Sequence, residues 1–322
     1  MNMTTWQVPF SPEWEEKRRR RRDGNFVGFL MLSFLVGQFS VSVLRALAIR
    51  AGILDVARLG NNGYLVLSML QYVLYLVVPT LIVALIARRG YNPFPTRRVE
   101  RGTYVVAIGG GMAFAVLANY AAGLVMSFLA QFGVPYPDFP STIEPTGMSL
   151  LLNVISVAVF PALAEEMAFR GYMLGALRAH SDRMAIVLSA VLFGLVHGNA
   201  VQIPFAFLLG LVLGWLVVQT DCIWPAVVLH FANNLTGVLL DWCGAIGWDE
   251  ATLTGAAFLV YCVTGGLVML ALYVKKSQSR GDLLQPIGGA AAGSKHVSGV
   301  MAAPALIISL VVWSLTVMVN ML

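Results

Sequence analysis

Charge is scarce in this chain. Lys, Arg, Asp and Glu make up 11% of its 322 residues, against roughly 25% in an ordinary soluble domain, which excludes a soluble globular protein. With 58% hydrophobic residues and a mean hydropathy of +0.77, the composition also excludes a disordered chain and a coiled coil. The long uncharged runs exclude a nucleic-acid-binding domain as well, despite a net charge of +5. Cysteine is nearly missing. Cys222, Cys243 and Cys262 are too few and too scattered for a disulfide framework or a thiolate metal site, and no two form a Cys-x-x-Cys pair. No internal repeat is visible, and no inverted pair of broken helices of the kind that marks secondary transporters.

Long apolar runs dominate instead. Because roughly 20 apolar residues cross a bilayer, nine spans are predicted at 26–48, 63–87, 103–130, 149–177, 184–199, 201–219, 223–240, 251–274 and 301–321. The fifth and sixth are divided only by Gly198 and Asn199, so eight spans is the alternative count. The fold class is an all-α polytopic transmembrane bundle. Residues 1–24 form a basic leading segment (Lys17, then Arg18 to Arg22), and the first run lacks a processing signal's order and length, so it reads as a retained span. Three spans over 25–148, a core over 149–240, an eighth span over 241–274, a flexible Gly/Ala/Ser-rich connection over 275–300 and a last, peripheral span over 301–322 complete the organisation.

With the amino terminus in the cytoplasm, nine spans put 18 of the 21 basic residues on one side, leaving only Arg45, Arg50 and Arg58 on the other. The positive-inside rule selects that orientation. Trp224, Trp242, Trp248 and Tyr273 fall near the predicted interfaces, where aromatic rings anchor.

Ionisable groups inside hydrocarbon cost about 2.5–3.5 kcal/mol each on insertion scales, so they default to a functional hypothesis. Apart from Arg45, close enough to a helix end to snorkel, the spans hold only Glu165, Glu166, Arg170, His197 and His230. Glu166 and Arg170 are four apart and can pair, while Glu165, rotated by about 100°, looks elsewhere. Phe193 lies one turn before His197, His230 shares a helix face with Asn234, and Asn233 projects away from it. Pro161 can kink the fourth span and open room for water beside the carboxylates. A free carboxylate, two imidazoles and an amide supply a general base, a second proton-handling group and oxyanion donors, the requirements of amide hydrolysis. Taken singly, each has a structural reading: the Glu166–Arg170 pair as a register lock, each histidine as a satisfied core residue, Asn234 as interhelical glue and Phe193 as packing.

In order along the chain, Glu165-Glu166-Met-Ala-Phe-Arg170, Phe193-Gly-Leu-Val-His197 and His230-Phe-Ala-Asn-Asn234 resemble the three signatures of the CPBP family, the CAAX-protease and bacteriocin-processing (Abi) intramembrane peptidases. Ile223-Trp224-Pro225 resembles the family's approach to the last of them. The resemblance covers about 149–240. It implies an endopeptidase acting on a membrane-associated protein or peptide, of prenylated CAAX type or bacteriocin-like, in a bilayer whose lipid is a partner and which reads as a prokaryotic plasma membrane. It also implies roles: Glu165 activating water with His197, His230 and Asn234 stabilising the oxyanion, and Glu166 with Arg170 and Phe193 organising the site. Zinc held by Glu165, His197 and His230 is a chemically allowed variant, since three protein ligands and a water suit hydrolytic zinc. The chain has no His-Glu-x-x-His, Gly-x-Ser-Gly or Gly-x-Gly-Asp, which other intramembrane peptidase chemistries would need. Two rival readings stand beside hydrolysis: a non-catalytic immunity or scaffold protein, and a proton-coupled transporter.

One expectation conflicts with the rest. Straight helices put Glu165 about 24 Å along the inward-running fourth span and His197 about 20 Å along the outward-running fifth, at opposite depths. Tilt, the Pro161 kink or a fourth helix running well past Arg170 must level them.

Overall fold

The computed structural model describes residues 11–87, 90, 92–134, 143–278 and 294–321. Among these it is an all-α membrane bundle of ten helices. They are α1 (Pro12–Arg50), α2 (Val56–Ala87), α3 (Arg101–Ala130), α4 (Gly147–Arg178), α5 (Asp182–Val196), α6 (Gln202–Thr220), α7 (Trp224–Ala245), α8 (Glu250–Gln278), α9 (Ser294–Met301) and α10 (Pro304–Met321). Six of them are long and apolar enough to cross a membrane: α1, α2, α3, α4, α6 and α8 over Ala251–Met269. The fifth and sixth apolar runs are separate helices, because Gly198 adopts φ +69°, a left-handed conformation that ends α5 just past His197.

Helix α4 is the axis of the molecule. From Ala162 to Leu177 almost every residue is buried, including Phe169, Met173 and Leu174. Around it, α5 and α6 pack tightly through small residues: a Cβ on Gly210 would stand 3.1 Å from the Ala190 backbone, and one on Gly194 would stand 3.1 Å from the Ile203 carbonyl oxygen. Such close approach is how helices associate where lipid is as apolar as their side chains.

Two prolines interrupt the regular α-helical turns of the helices that carry the site. Pro79 and Pro161 each follow a π-helical turn by two residues, Val73–Val77 in α2 and Val154–Val159 in α4. A proline ring clashes with the carbonyl four residues back and cannot bond it, and a widened turn relieves that clash. A third π turn, Glu166–Met173, contains no proline and carries Glu166 and Arg170. Helix α4 runs on to Arg178, well beyond Arg170, and Glu165 and His197 line one cavity, so the straight-helix conflict does not keep them apart.

The last helix is not peripheral, contrary to the sequence reading. Trp313 of α10 is buried and its Nε1 donates to the Met31 carbonyl at 3.1 Å, while Asn25 of α1 accepts from the Ala305 backbone N–H at 3.0 Å. Asn320 donates to the Gly198 carbonyl at 2.8 Å. The missing signal was spatial: a run that is apolar on all sides does not show which side meets protein. Of the expected 275–300 connection, Gln278 still lies in α8 and Ser294 begins α9. The Gly/Ala/Ser-rich stretch itself lies outside the described residues.

Candidate active site

Successive residues of α4 divide the labour of the two carboxylates. The Glu166 side chain is fully buried and forms the expected ion pair, its Oε1 lying 3.2 Å from Arg170 Nη1. Arg170, also fully buried, donates from Nη2 to the Gly210 carbonyl of α6 at 3.3 Å and stacks with its Cζ 4.3 Å from the centre of the Phe193 ring. Glu165 is turned toward a cavity of about 1830 Å³ that Glu166 does not line. Its Oε1 accepts from the Tyr72 hydroxyl of α2 at 2.5 Å.

His230, on α7, stands between the two acids. Its Nδ1 is 3.0 Å from Glu166 Oε1, a hydrogen bond, and its Nε2 is 3.7 Å from Glu165 Oε2, close but beyond hydrogen-bonding reach. With Nδ1 donating to Glu166, Nε2 of a neutral ring carries the lone pair toward Glu165. His197, the residue that closes α5, is oriented through Nδ1 by the Phe193 carbonyl at 2.8 Å. A carbonyl only accepts, so Nδ1 is the donor and Nε2 is the acceptor of the neutral ring. Phe193 touches both imidazoles edge-on, with centroid distances of 5.1 Å to His197 and 5.8 Å to His230. This one side chain therefore contacts Arg170, His197 and His230.

Asn234 reaches across to α4 and donates to the Val157 carbonyl at 3.0 Å. Val157 is the residue four before Pro161, whose missing N–H leaves that carbonyl without its α-helical donor. The proline thus acts through the amide it anchors. Asn233 does not project elsewhere, as its position on the helical wheel suggested: it donates to Asn234 Oδ1 at 3.1 Å and lines the same cavity. The two amides are adjacent in sequence, and their length lets both reach one wall.

Glu165, His197, His230, Asn234 and Phe193 all line this one cavity. Among the described residues no group of three or more His, Cys, Asp or Glu side chains stands close enough together to hold a metal ion. Glu165 faces Tyr72 and His230, and His197 Nδ1 faces the Phe193 carbonyl. Tyr72 is the residue sequence reasoning missed. It lies outside the three motifs, and its signal was faint: a Tyr72/Tyr75 pair one helical turn apart in an otherwise apolar run, ahead of Pro79. Its ring packs edge-on against Tyr75 and Phe160 at centroid distances of 5.2 and 5.7 Å.

Comparison with known proteins falls on this segment. The family model described as "Type II CAAX prenyl endopeptidase Rce1-like" matches residues 147–236, from the start of α4 into α7. A Bacillus subtilis (strain 168) protein named "Putative membrane peptidase YdiL" is 22% identical over 219 residues, 66% of this chain and 88% of that protein. No solved structure matches. The matched segment holds all three motifs, so this part of the chain is similar to the type II CAAX prenyl endopeptidase family, in line with the resemblance its motifs carry. It is an integral, multi-pass membrane protein.

Proposed function

We propose that the protein is an intramembrane endopeptidase that hydrolyses a peptide bond of a membrane-associated protein or peptide, with Glu165 as the general base. The observation that carries this reading is Glu165 on the wall of a large cavity, held by Tyr72 and facing His230, with His197 and Asn234 opening into the same space.

The steps follow from which atoms remain available. Glu165 takes a proton from a water that the lone pair of His197 Nε2 helps to hold, and the water oxygen bonds to the carbonyl carbon. The carbonyl oxygen becomes an oxyanion. Each amide nitrogen of Asn233 and Asn234 uses one N–H on a protein acceptor, so each has a second N–H for that oxyanion. His230 has a different part from the one the family resemblance implied. Engaged by Glu166 through Nδ1, it presents Nε2 beside Glu165 and passes the abstracted proton to the departing amine as the C–N bond breaks. Glu166 and Arg170 fix that imidazole in place.

Purified protein in detergent or proteoliposomes should cleave a farnesylated CAAX-type peptide, with bacteriocin-leader and unprenylated peptides compared alongside. In this mechanism a chelator leaves the rate unchanged. Failure to cleave any membrane-bound peptide would remove the proposal.

Tyr72→Phe keeps the ring against Tyr75 and Phe160 but removes the donor to Glu165. A hydrogen bond to a charged group is worth about 1.5–3 kcal/mol, so kcat should fall by about tenfold or more while KM stays close to wild type. Peptide-cleavage kinetics measure the split, and a change confined to KM would place Tyr72 in substrate binding instead.

A further inference from the structure

On the far side of α2 from the active-site cavity lies a second space, a groove of about 1590 Å³ between α1 and α2. Tyr72 faces the first space, whereas Leu74 and Val78 face the second, so α2 is the wall between them. The groove has two chemically distinct ends. Along most of its length it is apolar and open sideways: Phe29 is 56% exposed, Val36 65% and Ile82 49%. At its other end it is lined by Lys17, Arg18, Arg21 and Arg22.

Both ends lie on one face of α1. Positions 17, 18, 21, 22, 25, 29, 32 and 36 follow the three-and-four spacing of a single helical stripe. The remaining arginines of the basic run are turned to carboxylates: Arg19 lies 4.0 Å from Asp23 and Arg20 pairs with Glu16. Among the described residues the four cations of the groove have no carboxylate partner, and Arg18 lies with its Cζ 5.4 Å from the Trp14 ring centre. Glu13 and Glu15, in the first turn of α1, do not line the groove. The sequence thus segregates unneutralised positive charge onto the face that continues as an apolar trough.

From Arg22 to Val36 the helix rises about 21 Å, somewhat more than one leaflet of a hydrocarbon core about 30 Å thick. We propose that this groove binds an anionic phospholipid of the surrounding bilayer, its phosphate held by Lys17, Arg18, Arg21 and Arg22 and an acyl chain lying along Phe29, Val36, Val78 and Ile82. A free anion satisfies only the upper end and a neutral lipid only the lower. The proposal concerns binding and does not rest on hydrolysis.

The test is lipid retention, counted by native mass spectrometry on full-length protein exchanged into equimolar phosphatidylglycerol and phosphatidylcholine. Wild type should retain phosphatidylglycerol over phosphatidylcholine by about tenfold or more, given the attraction between basic side chains and anionic lipid, and the preference should shrink as salt rises. Combined K17Q, R18Q, R21Q and R22Q should abolish the preference, whereas R97Q with R98Q, which removes two cations outside the groove, should keep it. Ile82→Trp, which fills the trough, should reduce phosphatidylglycerol retention with the cations intact. Equal retention of the two lipids by wild type overturns the proposal without recourse to any variant. So does displacement of the lipid by soluble glycerophosphate, which would make the upper end a simple anion site.

Discussion

Glu165→Gln is expected to lower peptide cleavage by about 10²–10⁴-fold, the contribution typical of a positioned general base, with the protein still folded and still extractable at wild-type yield. The substitution is nearly isosteric, and its amide oxygen can still accept from the Tyr72 hydroxyl that now bonds Glu165. What disappears is the capacity to take a proton from water. The neighbouring Glu166→Gln should behave differently, because Glu166 bonds His230 and Arg170 in a fully buried setting and does not line the cavity. Its first effect should be on stability and on the orientation of His230. Paired assays of turnover and melting temperature for the two variants separate the roles. Wild-type cleavage by Glu165→Gln would end the assignment of Glu165 as the base. A binding-only immunity or scaffold protein would keep its partner in this variant and show no cleavage in either form.

Much of this arrangement could be read before any coordinates, and the reason is the solvent. A bilayer penalises every charge, so the few ionisable side chains within spans stood out, and their helical spacing already implied a Glu166–Arg170 pair. That pair forms. The bundle itself followed from hydropathy, since each predicted run contains or lies within a helix or nearly so. What hydropathy could not give was neighbours. Tyr72 is 93 residues from Glu165 and carries no formal charge, so only its pairing with Tyr75 marked it, and faintly. Asn233 was placed by ideal helical geometry, which ignores how far an amide can lean. The packing of α10 on α1 depends on Gly28, where a Cβ would come within 2.2 Å of the Ala305–Leu306 backbone. A glycine in an apolar run does not announce which helix will approach it.

Arg170→Met should destabilise the folded bundle by about 3–5 kcal/mol, the cost of removing one member of a buried ion pair. The arginine has no exposed surface, and three contacts hold it: Glu166, the Gly210 carbonyl and the Phe193 ring. Methionine fills similar space with an adaptable, polarisable chain, so the loss is electrostatic more than steric. The damage lies with Glu166, which keeps only His230 as a partner and whose Oε2 has no hydrogen-bond partner even in the wild type. Combining Arg170→Met with Glu166→Gln removes both charges and leaves an amide oxygen able to accept from His230 Nδ1. The double variant should therefore recover a large part of the loss, since buried ion pairs often contribute little net stability beyond a neutral, well-packed substitute. Denaturation in mixed micelles by increasing dodecyl sulfate, followed through tryptophan fluorescence, gives the four corners of the cycle. Recovery in the double variant assigns the cost to an uncompensated carboxylate. A double variant less stable than Arg170→Met would show that Arg170 acts through Phe193 and Gly210, bracing α4 against α5 and α6, with its partner acid incidental.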